Sequence, residues 1–163
     1  MPNFKMKPFP TIELKFRLVN DQAETLDRLN RRTDRSDNLT SQSTDKSFRG
    51  QINGNEFKLI SSTIGRGAFC VMSGQINSVD GSVKVEIHKV FQILLTIILL
   101  LPLVGFIVLA ISKKDEFSPI MILVVIGQIL MIRYIFIGLA FKFLSRESLN
   151  RLRDVLDLEW IKN

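Results

Sequence analysis

Two apolar runs decide what this chain can fold into. From Val90 to Ile111 it reads VFQILLTIILLLPLVGFIVLAI with no charged residue, and from Pro119 to Phe141 it reads PIMILVVIGQILMIRYIFIGLAF with one. At 1.5 Å rise per residue each run makes a helix about 33 Å long, enough to cross a hydrocarbon core of about 30 Å. A soluble helical hairpin would need a polar stripe at helical period along each run, and neither has one. A secretory signal is excluded as well, because the first run starts at residue 90 and the amino terminus MPNFKMKPFP has no apolar core. Both runs read as transmembrane helices.

Seven residues, SKKDEFS, join them, so the helices form an antiparallel hairpin with both chain termini on one side of the bilayer. That connector carries Lys113 and Lys114 against Asp115 and Glu116, whereas the other flanks carry Lys84, His88, Lys89, Lys142, Arg146, Arg151 and Arg153. The excess of basic flanks places both termini in the cytoplasm and the chain in an inner membrane as a multi-pass protein. Cys70 is the only cysteine, in keeping with a reducing compartment.

Residues 1 to 89 read as a β-rich cytoplasmic module. TIELKFRL alternates Ile12, Leu14, Phe16 and Leu18 with polar neighbours, the period of a half-buried strand. Asp21 and Glu24 stand at capping-box spacing before Leu26 and Leu29, which predicts a short helix. Residues 33 to 47, TDRSDNLTSQSTDKS, hold one aliphatic side chain and read as a flexible loop. The NLT acceptor in it is read as chance, since a cytoplasmic loop does not meet the glycosylation machinery. Two hairpins follow, with tight turns expected at Asn53-Gly54-Asn55 and at Asp80-Gly81. Strand SVKVEIH then enters the first membrane helix almost directly. Beyond the second membrane helix, residues 142 to 163 predict a separate amphipathic helix capped by Ser145, with Leu149, Leu152, Leu156 and Trp160 on one face. Its balanced charge favours packing on the sheet over lying in the headgroups. The expected architecture is α+β: about five antiparallel strands, a short helix, a membrane hairpin and a carboxy-terminal helix.

Catalysis finds little footing. One histidine and one cysteine lie far apart, and metal-ligand spacings and nucleotide fingerprints are missing, so no enzyme, cofactor or metal is expected. A net charge of +6 could invite nucleic acid, but the basic cluster RLNRRTDR contains Asp34 and is flanked by Asp27 and Asp37. Attraction to anionic lipid headgroups is the better reading. Lys58, Arg66, Lys89, Lys142 and Arg146 are the candidate contacts for such lipids or another anionic ligand. Within GRGAF, Arg66 between two glycines is either part of an anion-cradling loop or a solvated turn residue.

Arg133 is the one charge inside the apolar runs. It lies about eight residues, or roughly 12 Å, from the cytoplasmic end, where it can snorkel. Gln92 and Thr96 on the first helix come to about the same depth, and Gln128 lies deeper. Arg133 therefore either snorkels or locks the hairpin, or else it faces a second subunit, a lipid phosphate or a water-filled path. Pro102 is expected to kink the first helix, and Gly127 with Gly138 permit close helix approach without forming GxxxG.

The run FRGQINGNEFKLI, followed by GRGAFCVMSGQINSVDGSVKVEIHKVFQILL, resembles uncharacterised small bacterial membrane proteins with F-x-G-x-I, F-x-I and G-x-I strands before a two-helix membrane hairpin. Phe48, Gly50, Ile52, Phe57, Gly74 and Ile76 carry the likeness over about residues 48 to 115, and it implies architecture without an activity. A looser architectural similarity is to membrane-anchored antiphage effectors, whose helices precede the β-module. The expected function is that of a non-enzymatic accessory, scaffold or sensor protein whose module binds a partner at the bilayer. The alternative is an oligomerising effector or pore former gated by a ligand.

Overall fold

The structure is a computed structural model that describes residues 9–40, 42, 44–62, 67–112 and 118–161. It divides into a sheet unit, Met1–His88 with Phe143–Asn163, and a helical unit, Lys89–Lys142.

The sheet unit is α+β, as its alternation predicts, but it holds seven strands rather than about five, and the sheet is mixed. The strands are β1 (Thr11–Leu18), β2 (Thr33–Arg35), β3 (Phe48–Asn53), β4 (Glu56–Ser61), β5 (Cys70–Ile76), β6 (Asp80–Ile87) and β7 (Leu158–Trp160). Their order is β2-β3-β4-β5-β6-β1-β7, and only β2 and β3 run parallel. The expected strands are the five central ones. The two additions are three-residue strands at the edges, too short to show a period; β2 falls in the stretch read as loop and β7 in the stretch read as helix.

Both hairpin turns have a local cause. In the first, Asn53 pairs with Glu56 and the loop is Gly54-Asn55, with Gly54 at φ +58°. The second turn is not at Asp80-Gly81. It is made by residues 77 to 79, where Asn77 N donates to Asp80 O at 2.7 Å and Asn77 Nδ2 to Asp80 Oδ1 at 3.0 Å. Gly81 lies inside β6, opposite Phe16, and a Cβ there would stand 2.3 Å from Phe16 Cζ. The glycine makes room for a ring instead of supplying a turn.

Helix α1 (Gln22–Arg32) starts where expected, with the Asp21 carboxylate accepting from Glu24 N at 2.7 Å. Phe16, Phe48, Leu59, Met72, Val83 and Val85 are fully or almost fully buried on one face of the sheet. Leu29 of α1 is fully buried as well, and Gln22 Nε2 donates to Ile76 O at 2.8 Å.

In the helical unit, α2 spans Lys89–Ser112, with Pro102 inside it, and α3 spans Ile120–Leu130. A π-helical turn, Met131–Ile137, follows α3 and leads into α4, Gly138–Leu156. The whole of Ile120–Leu156 is one 37-residue helical run. The connector residues 113 to 117 lie outside the described residues. Both α2 and the longer run are long and apolar enough to cross a membrane.

Ser145 was expected to cap a new helix. It is instead fully buried in the middle of α4, because nothing in FKFLSRESL interrupts helical hydrogen bonding. Leu149, Leu152 and Leu156 are buried as their spacing predicts, and Arg151 Nη1 donates to Ser61 Oγ on β4 at 2.9 Å. The helix stops at Asp157, whose φ of +52° turns the chain into β7. Trp160, four residues past Leu156, thus belongs to a strand.

Candidate functional site

The chemistry-bearing residues fall into two sets, one in each unit. In the helical unit, Thr96 Oγ1 donates to Gln92 O at 2.7 Å, one turn back on α2. This bond satisfies the hydroxyl within its own helix. Gln128 is exposed on α3. Arg133 is half-buried, its guanidinium carbon 5.8 Å from the centroid of the Tyr134 ring. It sits inside the π-helical turn, which sequence reasoning missed. Adding one residue to a turn rotates everything after it by about 100° relative to an uninterrupted α-helix. The one sequence signal at this place is the arginine itself.

In the sheet unit, the face opposite the core carries a polar row beside one buried apolar pair, Ile60 and Val71. Register aligns Gln51, Lys58, Ser73, Lys84 and Glu13 in one row across five strands, and Lys84 Nζ lies 2.5 Å from Glu86 Oε1. Lys58 and Arg146 of this unit are exposed, as are Lys89 and Lys142 at the two ends of the helical unit. Arg66 lies outside the described residues. Gly67, next to it, has a structural reason to be glycine, since a Cβ would stand 1.9 Å from Ser61 O. Burial pushes the Cys70 thiol up to about 12, so at neutral pH it is not a thiolate nucleophile. Among the described residues, no group of His, Cys, Asp and Glu side chains is placed to hold a metal ion.

Partial burial and, secondarily, Lys58 hold the His88 imidazole below its ordinary 6.5. The unfolded chain then takes up this proton first as pH falls, so the native state loses stability from pH 6.5 down to the lower folded value. Lys58→Met removes the cation but not the burial. It is expected to raise the His88 titration midpoint part of the way towards 6.5, read from the imidazole proton shifts.

A third feature was not foreseen. Arg28, Arg31 and Arg32 of α1 line a groove of about 770 Å³ with Asp45 and Lys46 from the segment before β3 and Asp154 and Val155 of α4. In the sequence these arginines look neutralised by interleaved acids. The fold gathers the three arginines on one helical face, because positions three and four apart share a face; Asp27 stays paired with Arg31, while Asp34 goes into β2.

No protein-family model, curated protein or solved structure matches this chain.

Proposed function

We propose that this chain is a non-enzymatic, membrane-anchored binding protein. Its helical hairpin spans an inner membrane with both termini cytoplasmic, and its sheet unit recruits or senses a partner at that surface. The observation that carries this reading is the exposure of the apolar runs. Neither α2 nor α3 has a single buried residue, and Ile93, Ile97, Leu101, Leu123 and Leu130 are each at least half exposed. Patches of this size on a soluble monomer are rare, and lipid is the solvent that removes them from water. Continuity adds support, since one helical run carries the second apolar stretch and the buried leucines of the sheet unit with no loop between them. His88 alone separates β6 from α2. Lys89, Lys142 and Arg146 suit contact with anionic headgroups, and no nucleic-acid or cofactor role is proposed.

The test is the native mass of the tagged protein gently extracted from its own membranes. One or two copies held with unrelated polypeptides support the recruiting role, and a lone monomer counts against it.

A second reading, an oligomerising effector or pore former, is favoured by one observation: a charged residue in a π-helical turn within an apolar run. In that case Arg133, with Gln92 and Gln128, faces a neighbouring copy. Arg133→Leu is then expected to convert a closed ring to monomers in the same native-mass measurement. An unchanged assembly state would leave Arg133 as a snorkelling residue.

A further inference from the structure

The groove beside α1 has features the binding role does not by itself require. Arg28, Arg31 and Arg32 project from one helical face, and Lys46 joins them in the lining, giving four cations against Asp45 and Asp154. Their existing partnerships are unequal. Arg28 is well held, paired with Glu24 at 2.7 Å and with Asp157, and both raise its pKa. Arg31 has one partner, Asp27 at 3.0 Å, in a pair whose side chains are 67% and 63% exposed. Such a pair is held loosely against water and salt. The Lys46 ammonium donates to Arg31 O at 2.5 Å, which brings it to the end of α1 without neutralising it. Asp154 is already engaged by Arg153 at 2.9 Å. Arg32 is exposed, with no hydrogen-bond or ion-pair partner among the described residues.

We infer that this groove binds a phosphate-bearing anion, with Arg31, Arg32 and Lys46 as its contacts and Arg28 as the fixed wall that shapes it. Guanidinium forks match phosphate oxygens in pairs, and a lysine adds a point charge, so two arginines and a lysine suit phosphate better than a single carboxylate. The volume of about 770 Å³ admits a group larger than one phosphate, such as a diphosphate ester. The same chemistry is offered by a soluble phosphorylated compound and by a phosphorylated lipid headgroup. The inference rests on the binding role proposed above and supplies its ligand class.

The rival role for Arg31 and Arg32 is to complement the carbonyl end of α1. It predicts that neutralising them lowers stability equally with and without phosphate. The decisive experiment uses the full chain in phosphatidylcholine nanodiscs, titrated with inorganic pyrophosphate by calorimetry. In parallel, its unfolding midpoint is compared in discs with and without phosphatidic acid. The pair is repeated for Arg31→Gln/Arg32→Gln, with Arg32→Lys as the variant that keeps the charge. Saturable pyrophosphate binding, weakened at least about tenfold in the double variant and less in Arg32→Lys, supports the site with a soluble ligand. Stabilisation by phosphatidic acid alone, abolished in the double variant, supports it with a lipid ligand. Absence of both effects, or effects the double variant retains, overturns the site. The binding role of the sheet unit is judged separately by the native-mass measurement, so the two can fail independently.

Discussion

Replacing Phe16 with alanine is expected to cost the sheet unit about 3–5 kcal/mol, a large share of the roughly 5–15 kcal/mol that holds a small domain folded. The ring is fully buried in β1, meets Trp160 edge-on at 6.2 Å and 82°, and fills the space left by Gly81 on the paired strand. Its loss opens a cavity that the sheet cannot close, because backbone pairing fixes the strands on both sides. Trp160 is the only tryptophan, so urea unfolding followed by its fluorescence in mild detergent reports on this neighbourhood. A partner substitution sharpens the test. In the native background, Gly81→Ala forces a Cβ to within 2.3 Å of Phe16 Cζ and 2.6 Å of Gln75 O. Part of that cost should vanish when Phe16 is already alanine, leaving only the backbone clash. Equal costs in both backgrounds would show that the ring is not what demands glycine there.

The same residues show how far the sequence could be read. The strands β1 and β6 were plain because each alternates with period two over eight residues, and the apolar runs because they stay apolar over more than twenty. Gly81 was misread because a glycine after an aspartate signals a turn equally well whether it supplies positive φ or makes room for a ring. Only the pairing of Phe16 with Gly81, contacts 65 residues apart, separates those cases. The carboxy-terminal helix was extended past its end because Trp160 continues the leucine spacing, and the interruption at Asp157 is a single backbone angle with no compositional mark. Its start was misplaced for the opposite reason. Ser145 is a good cap residue, but capping needs the preceding chain to leave helical geometry, and KFL gives it no reason to do so. β2 was lost inside a polar stretch because its pairing with β3 rests on main-chain bonds. The basic groove was hidden in another way. Along the chain, Asp27, Asp34 and Asp37 cancel the arginines, but helical geometry gathers residues 28, 31 and 32 on one face, and the segment before β3 brings Lys46 to them. Charge balance along a sequence is a poor guide to charge balance on a surface.

The second large effect concerns the hairpin. Leu100 and Leu101 lie near the middle of α2 and are 51% and 58% exposed. Under the membrane reading, that exposure is to lipid. Arginine at the centre of a spanning helix costs about 2.5–3.5 kcal/mol on insertion scales, so Leu100→Arg/Leu101→Arg should cost about 5–7 kcal/mol. The unsubstituted chain is expected to stay with the membrane through an alkaline carbonate wash, and the double variant to be lost from that fraction. A soluble helical pair would respond in the opposite sense, since arginines on an exposed face improve solubility and bury nothing. Arg133→Leu provides the converse comparison at a site where an apolar run already bears a charge. If Arg133 merely snorkels, removing it should make insertion more favourable and leave assembly alone. If the charge faces a second copy, a lipid phosphate or water, insertion should again improve while assembly or a membrane phenotype is lost. Retention of the double-arginine variant in the washed membrane would leave α2 outside the hydrocarbon core and require another explanation for its bare apolar surface.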